Sequence, residues 1–212
     1  MPDAVVRHPL FARLYMLMTQ HEPAAVTEHR RQLLAGLTGR VLELGAGNGG
    51  NFKHYPAGVV EVLAVEPEPY LREKALAAAA AAPVPVTVVE GTADHLPAAD
   101  ASFDAAVACL VLCSVPSQGT ALAELRRVLR KHGELRFYEH VLSRKPMLAA
   151  TQRLVDRAFW PSAFGGCHTA RDTAAALQEA GFEIEEQQRM WVAPVPLVVP
   201  SATHVLGRAR RS

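Results

Sequence analysis

Short apolar runs alternate with helix-forming segments through the middle of the chain. The runs rich in valine, alanine and leucine occupy 41–44, 61–66, 86–91, 103–111 and 134–141. Continuous apolar runs of this length are typical of strands that are covered on both faces. The segments 68–82 and 121–130 between them have strong helix formers, and the first stops before Pro83. This alternation predicts a parallel, doubly wound α/β sheet.

The two ends of the chain depart from that alternation. Residues 9–38 have helical apolar stripes with a break at Pro23, so we expect 1–38 to form a helical lead-in or cap. Near the other end, 171–182 is predicted to be a helix closed by Gly181. Two strand-like stretches follow it, 182–192 and 203–210, joined by the apolar segment 193–202. A terminal pair of strands of this kind is not part of the six-strand dinucleotide fold.

Length and charge limit the possibilities further. The 212 residues, half of them hydrophobic, suit one core, so we expect a single domain over 1–212. The net charge of +1 gives no global field that would attract nucleic acid. The sequence has neither an apolar run of membrane-spanning length nor a signal peptide, and its three cysteines fit a reducing compartment. We therefore expect a cytoplasmic protein.

The loop VLELGAGNGGNF at 41–52 matches two nucleotide-binding patterns with overlapping glycines. Gly45, Gly47 and Gly50 give the GxGxxG pattern of dinucleotide sites. Glu43, Gly45, Gly47 and Gly49 give the ExGxGxG pattern of S-adenosylmethionine (SAM) sites. In an open parallel sheet, either ligand would lie at the carboxyl end of the first strand. The loop alone does not distinguish them.

Two acidic residues at strand ends bear on that choice. A dinucleotide needs its pyrophosphate at a helix N-terminus, whereas SAM carries a sulfonium, an ammonium and a carboxylate. Glu43 ends the first strand, where it could help position an ammonium and would be a poor neighbour for a pyrophosphate. Glu66 ends the second strand and can accept hydrogen bonds from ribose hydroxyls, which both cofactors present. Glu43 therefore favours SAM.

Over nearly its whole length the sequence resembles the class I SAM-dependent methyltransferases. The resemblance is carried by four segments: ELGAGNGG, VEPEP, VEGTADHLPAADASFDAAVA and ELRRVLRKHGELRFYEHV. It implies a Rossmann-like α/β fold with a seven-stranded, mostly parallel sheet of order 3-2-1-4-5-7-6. Strand seven is then antiparallel, and helices cover both faces.

The same resemblance implies the residues that bind SAM. Many relatives have an aspartate where Thr92 stands, so the polar contact to adenine passes to Thr92 or to Asp94. The candidate cofactor-binding residues are Glu43, Gly45, Ala46, Gly47, Asn48, Glu66, Pro67, Thr92, Ala93, Asp94 and Cys109.

A narrower resemblance is to the thiol S-methyltransferases of the methyltransferase-like 7 group. It is carried by NFKHYP (51–56), CLVLCSV (109–115), YEHV (138–141), GGCHTARDT (165–173) and HVLGRA (204–209). Several of these segments lie outside the generic SAM motifs. The resemblance implies S-methylation of a small-molecule thiol. Animal members begin with a hydrophobic membrane anchor that this sequence does not show, so we expect no integral membrane association.

The predicted sheet order also locates the acceptor. His140 ends strand five, Trp191 and Val192 end strand six, and His204 begins strand seven, so all converge at one edge. A histidine there could take the proton of a thiol or stabilise its anion. His140 is the first catalytic candidate, His204 the second and His168 the third. The alternative for each is a histidine that hydrogen-bonds backbone and fixes a loop.

A metal site is not expected. Cys109, Cys113, Cys167 and His168 could be counted as four ligands, but they lack the paired spacing of zinc knuckles. The sequence leaves open a small-molecule O- or C-methyltransferase, which would share every cofactor motif. A non-catalytic SAM-binding protein and an NAD-dependent oxidoreductase are further alternatives. The oligomeric state is open.

Overall fold

A seven-stranded sheet with helices packed on both faces organises the chain. The computed structural model describes residues 9–19, 22–192 and 200–212. The strands are β1 (Gly39–Leu44), β2 (Val59–Val65), β3 (Val86–Val89), β4 (Phe103–Cys109), β5 (Leu129–His140), β6 (Phe182–Trp191) and β7 (Thr203–Arg211). The helices are α1 (Pro9–Thr19), α2 (Ala24–Leu34), α3 (Pro69–Ala79), α4 (Gln118–Val128), α5 (Pro146–Ala158), α6 (Trp160–Ala163) and α7 (Thr173–Glu179).

The order of the strands is β3-β2-β1-β4-β5-β7-β6. β7 runs antiparallel to both of its neighbours, and the pairs among β1 to β5 are parallel. The fold class and strand order predicted from the sequence are therefore confirmed. The order changes direction at β1 and β4, which is where open parallel sheets bind their ligands.

The central strands are buried on both faces because alternate side chains point to opposite sides. In β4, Ala106 and Ala108 pack in one core cluster with residues of α4 and α7. Ala105 and Val107 pack in a second cluster with residues of α2 and α3. This explains why β4 reads as a continuous apolar run rather than an alternating one.

Three helices begin at side-chain caps that the sequence supplies. The carboxylate of Glu68 accepts a hydrogen bond from Leu71 N (2.8 Å), and Pro69 occupies the first position of α3. Ser117 caps α4 through Thr120 N, and Asp172 caps α7 through Ala175 N. The caps fix where α3, α4 and α7 leave the sheet.

The predicted lead-in forms two helices on either side of Pro23, and the second ends at Leu34. The predicted helix 121–130 ends earlier, at Val128, because the buried Leu129 already pairs with Phe103 of β4. Most of the predicted connection 193–202 lies outside the described residues. No helix in the described ranges is long and apolar enough to cross a membrane.

Helices α5 and α6 were not predicted from the sequence. α5 buries only Ala149 and Gln152, while Met147 and Leu154 are exposed. Its apolar positions therefore do not mark a buried stripe.

The fully buried Gln152 joins α5 to the segment that follows the carboxyl end of β5. Its Oε1 accepts a hydrogen bond from Ser143 N (2.7 Å). Its Nε2 donates towards the carbonyl oxygens of Val141, Thr169 and Pro200 at 2.9 to 3.1 Å. The Gln152 side chain thus forms hydrogen bonds to three segments: one after β5, one before α7 and one before β7.

We expect Gln152→Ala to destabilise the protein by roughly 2–4 kcal/mol, because it leaves several buried backbone groups without partners. The exposed neighbour Thr151 provides the matched control, and Thr151→Ala should change the free energy of unfolding by less than about 0.5 kcal/mol. Denaturant unfolding of both variants measures the difference. Similar stabilities for the two variants would contradict this account.

Candidate active site

The glycine loop after β1 turns back on the end of β2. Gly45 N and Ala46 N both donate to Val65 O, at 2.9 and 3.1 Å. Gly45, Gly47 and Gly49 all have positive φ angles, between 57 and 79°. This backbone conformation strongly favours glycine.

Gly50, by contrast, is not required by the backbone. Its φ lies outside the positive range, and an added Cβ would come no closer than 3.4 Å to Asn48 Oδ1. At Gly49 an added Cβ would come within 2.7 Å of Ala78 Cβ. The glycines that the structure needs are thus those of the ExGxGxG pattern.

The loop also lacks the long helix that a dinucleotide site uses. Between β1 and β2 it is followed only by a short 3-10 helix at Phe52–His54. A pyrophosphate would find no extended helix dipole there.

Glu66, at the end of β2, is buried and holds the glycine loop. Its Oε2 accepts from Gly47 N (2.7 Å) and its Oε1 accepts from Glu68 N (2.9 Å). Each oxygen accepts one backbone bond and keeps a lone pair for a further donor, such as a ribose hydroxyl. Burial raises the pKa of Glu66 to about 7. These two acceptor oxygens fit the hydroxyl groups of the ribose of SAM.

Glu43, at the end of β1, lies beneath the loop. Asn51 Nδ2 donates to its Oε1 (2.9 Å) and the Tyr55 hydroxyl donates to its Oε2 (2.7 Å). Burial raises the pKa of Glu43 to about 7, although both hydrogen bonds favour the charged form. The carboxylate is therefore linked to the rest of the site through Asn51 and Tyr55, which the sequence analysis did not identify.

Arg30 of α2 extends that network. Its NH1 group donates to Asn51 Oδ1 (2.8 Å) and to Cys109 Sγ (3.2 Å), while its Nε donates to Glu22 (2.9 Å). Burial raises the pKa of Cys109 to about 11, so its thiol stays neutral. Beside Arg30 is a polar cleft of about 250 Å³. It is lined by Thr19, Glu22, Thr27, Arg30, Asn48, Gly50 and Lys53.

Helix α1 covers the glycine loop. An added Cβ at Gly47 would come within 3.2 Å of the Tyr15 hydroxyl, and Asn48 Nδ2 donates to Thr19 Oγ1 (3.0 Å). At its other end, the Phe11 ring packs directly on Gly165. The sequence predicted a helical cap here, but not which of its residues touch the loop.

The other predicted cofactor residues follow β2 and β3. Pro67 is half-buried beside Glu66, and Thr92 and Ala93 are half-buried beyond β3. Thr92 forms an isolated bridge with His95, while Asp94 is exposed.

The edge predicted to hold the acceptor, called the acceptor edge below, lies where β5 and β7 pair. His140 and His204 are direct cross-strand partners, and their ring centroids lie 4.6 Å apart. The His204 ring stacks on Tyr138 with a centroid distance of 5.1 Å. Burial, followed by the nearby His140, lowers the pKa of His204 to about 3, so its imidazole is neutral. Its Nδ1 carries the proton, since it lies 3.1 Å from the carbonyl oxygen of Ala202.

His168 occupies a different environment from the other two histidines. Its backbone N donates to Cys113 O (2.8 Å), whereas its Nδ1 lies 3.8 Å from the Asp156 carboxylate. The backbone of His168 therefore joins two loops.

Cys113, His140 and Cys167 form a compact cluster beside this edge. Each sulfur lies 3.5 Å from His140 Nδ1. Within the described part of the chain, these three residues form the only His, Cys, Asp or Glu group close enough to hold a metal ion. The set differs from the four residues counted along the sequence.

The fold and the loop define a class I SAM-dependent methyltransferase, and comparisons with known proteins agree. The family described as a methyltransferase domain matches residues 42–137. A putative methyltransferase from Bacillus halodurans has a TM-score of 0.71 at 17% identity, covering 89% of this chain and 99% of that one. A SAM-dependent methyltransferase from Thermotoga maritima has a TM-score of 0.68 at 23% identity, covering 96% and 98%. These two likenesses concern the fold.

Curated relatives define the family more narrowly. Human thiol S-methyltransferase TMT1B is 34% identical over 94% of this chain and 85% of its own length. Human thiol S-methyltransferase TMT1A is 36% identical over 71% of this chain and 64% of its own length. The chain belongs to the family of TMT1A and TMT1B and is a SAM-dependent methyltransferase.

We expect Gly47→Leu to reduce SAM affinity by at least about tenfold, because the side chain would enter the space between the loop and α1. Gly119→Ala in α4 is the control and should retain affinity, because Gly119 lies outside the loop and its Cβ would meet only Ser117 Oγ, at 4.0 Å. Titration calorimetry measures both, with circular dichroism as a check on folding. If the two variants bind SAM with equal affinity, the proposed need for glycine at position 47 is wrong.

Glu43 should make the cofactor-free protein less stable as pH rises. Its folded pKa of about 7 lies above its ordinary value of 4.5, so folding favours the protonated form. That stabilisation is present below pH 4.5 and is lost as pH rises through about 7.

The Tm of Glu43→Gln minus that of the unaltered protein should therefore increase between pH 5 and pH 8. The change corresponds to at most about 3 kcal/mol. Differential scanning calorimetry at several pH values measures it. A difference independent of pH would contradict the raised pKa.

Proposed function

We propose that this protein transfers the methyl group of SAM to the sulfur of small apolar thiols. The observation that carries the proposal is the 34% identity to a thiol S-methyltransferase over 94% of the chain. The chemistry of the acceptor edge supports the same acceptor class.

The cofactor would be held by the two carboxylates and the glycine loop. Glu66 is suited to the ribose hydroxyls, while Pro67, Thr92, Ala93 and Asp94 follow β2 and β3 on the side expected for adenine. The backbone of Gly45, Ala46 and Gly47 allows close approach of the ligand. SAM, when bound, supplies a methyl group on a positively charged sulfur.

The amino-acid end of the cofactor has both an ammonium and a carboxylate, so it needs charges of both signs. The polar cleft beside Asn48 provides both, since Arg30 and Lys53 are positively charged and Glu22 is negatively charged. Glu43 contributes from beneath, because it orients the Asn51 side chain that Arg30 also contacts. We assign this region to the amino-acid end.

An apolar wall borders the cysteines at the acceptor edge. Trp160 and Phe164 stack with ring centroids 4.2 Å apart, and Trp160 packs in one cluster with Cys113 and Cys167. Such a wall excludes water and favours an apolar substrate. The polar end of the same region consists of the imidazoles of His140 and His204.

A thiol needs little activation to accept a methyl group from a sulfonium. Its pKa of roughly 8.5 already gives some thiolate near neutral pH. The main tasks of the protein are then to hold the sulfur in line, to exclude water and to remove one proton. We place that proton removal at the His140 edge. The neutral His204 packs against His140 and limits the space around it.

The test is a competition assay. Purified protein receives equal concentrations of an alkyl thiol and a phenol of similar size, and mass spectrometry identifies the methylated products. We expect the thioether to exceed the aryl ether by at least about tenfold, since a soft sulfur nucleophile needs less activation. Predominant O- or C-methylation would overturn the thiol assignment.

A further inference from the structure

Backbone contacts hold in place the two loops that carry the cysteines beside His140, and the two cysteine side chains also share a hydrogen bond. His168 N donates to Cys113 O (2.8 Å), so the chain following Cys167 is hydrogen-bonded to the backbone of Cys113. Gly166 allows this approach, since an added Cβ would come within 2.9 Å of Ser114 O. The positions of both sulfurs are therefore set by two docked loops.

Each loop is fixed by a carboxylate, which is buried for Glu139 and half-buried for Asp156. Glu139 accepts hydrogen bonds from Val111 N, Leu112 N and Cys113 N at 2.8 to 3.1 Å. Asp156 of α5 accepts from Thr169 N and Ala170 N, both at 2.9 Å. Preorganisation of this kind is what a metal site needs before the ion arrives.

The distances within the cluster match a tetrahedral ion. A thiolate sulfur and an imidazole nitrogen on the same zinc are separated by about 3.6 Å, given bonds of roughly 2.3 and 2.0 Å. Both sulfurs here lie 3.5 Å from His140 Nδ1, and all three ligand atoms lie within 4.8 Å of one another.

The imidazole alone cannot make a good hydrogen bond to both sulfurs, although the two cysteines also share a side-chain hydrogen bond. Nδ1 of a neutral imidazole has either one N–H or one lone pair, directed in the plane of the ring. It can make one good hydrogen bond, yet two sulfurs stand at the same distance from it. An ion on the lone-pair axis would contact both sulfurs at once.

We infer that Cys113, Cys167 and His140 bind a zinc ion whose fourth position takes the sulfur of the acceptor thiol. Two thiolates and one imidazole form a borderline-soft donor set that suits zinc and not magnesium or calcium. Three protein ligands with one exchangeable position is the arrangement of catalytic zinc sites. The sequence predicted no metal site, from the spacing of Cys109, Cys113, Cys167 and His168, and the present proposal departs from that prediction by replacing Cys109 and His168 with His140.

The charges around the cluster suit this assignment. Two thiolates neutralise the ion, so the filled site carries no net charge at its buried position. A third thiolate, from the acceptor, adds one negative charge. The guanidinium of Arg171, which donates to Leu112 O (2.6 Å) and interacts electrostatically with both sulfurs, can offset it.

The acceptor role rests on the thiol S-methylation proposed above. On binding, the S–H bond of the acceptor breaks, its proton leaves to water and its electron pair forms the zinc–sulfur bond, while a water leaves the ion. Zinc remains divalent throughout. The sulfur then forms its bond to the methyl carbon as the bond from that carbon to the sulfonium breaks, and the electron pair stays on the departing sulfur.

The first measurement is metal content of the full-length protein by mass spectrometry after expression with zinc. We expect about one zinc per chain, and at least a tenfold loss of zinc affinity in Cys113→Ser, Cys167→Ser and His140→Ala. Cys109→Ser is the matched control, because the third cysteine contacts Arg30 and is not part of the cluster. Circular dichroism and thermal unfolding check that each variant is folded. A metal-free protein that does not take up added zinc, with Cys113 and Cys167 as free thiols or as a disulfide, would overturn the site.

The second measurement replaces zinc with Co(II), whose spectrum reports sulfur ligands and tetrahedral geometry. Addition of an alkyl thiol should strengthen the sulfur-to-cobalt charge-transfer band, and the corresponding methyl thioether should not. If the spectrum of bound Co(II) does not change when the thiol is added, the acceptor thiol does not bind the metal and that part of the proposal is wrong. Failure of the proposed function is distinguishable, because preferential O-methylation in the competition assay leaves the metal content unchanged.

Discussion

Several backbone N–H groups in the loops around this site donate to carboxylates at the ends of strands. Glu66 follows β2 and holds the glycine loop through Gly47 N. Glu139 lies near the end of β5 and takes three successive N–H groups of the loop after β4. Loops that lack regular structure have no internal partners for these donors, and an unsatisfied buried donor costs about 1–3 kcal/mol. The carboxylates therefore determine the shape of both halves of the site, and the parallel sheet brings them to one edge.

Much of the sheet could be predicted because the strands that are buried on both faces have a simple signature. β1, β2 and β4 contain apolar runs of valine, leucine and alanine, and Glu43 and Glu66 were recognisable as polar residues at strand ends. Helix α5 was missed because it presents Met147 and Leu154 to solvent and buries a glutamine. Its function depends on the hydrogen bonds of Gln152, which have no signature in local sequence.

The candidate site was harder to predict where it depends on pairings between distant residues. Tyr15 lies on α1, Arg30 on α2 and Asn51 at the end of the glycine loop, and only the folded chain shows that they lie close together. The cysteines illustrate the same limit. Leu110 adopts a positive φ of 58° directly after β4, and the chain turns there, so Cys109 faces Arg30 while Cys113 faces His140. Spacing along the chain placed Cys109 and Cys113 in one candidate set of metal ligands, although the turn at Leu110 points them to different neighbours.

The position of β7 has a consequence for synthesis of the protein. β7 is the last of the seven strands to leave the ribosome, yet it lies between β5 and β6 in the sheet. Until it emerges, the β5 edge has unpaired backbone groups and β6 has no neighbour, a state that is open to wrong pairing with other chains. Pairing of β5 with β7 spans a long sequence separation, which slows folding. His204 reaches His140 only in that final step, so a nascent chain can form its glycine loop well before it has an acceptor edge.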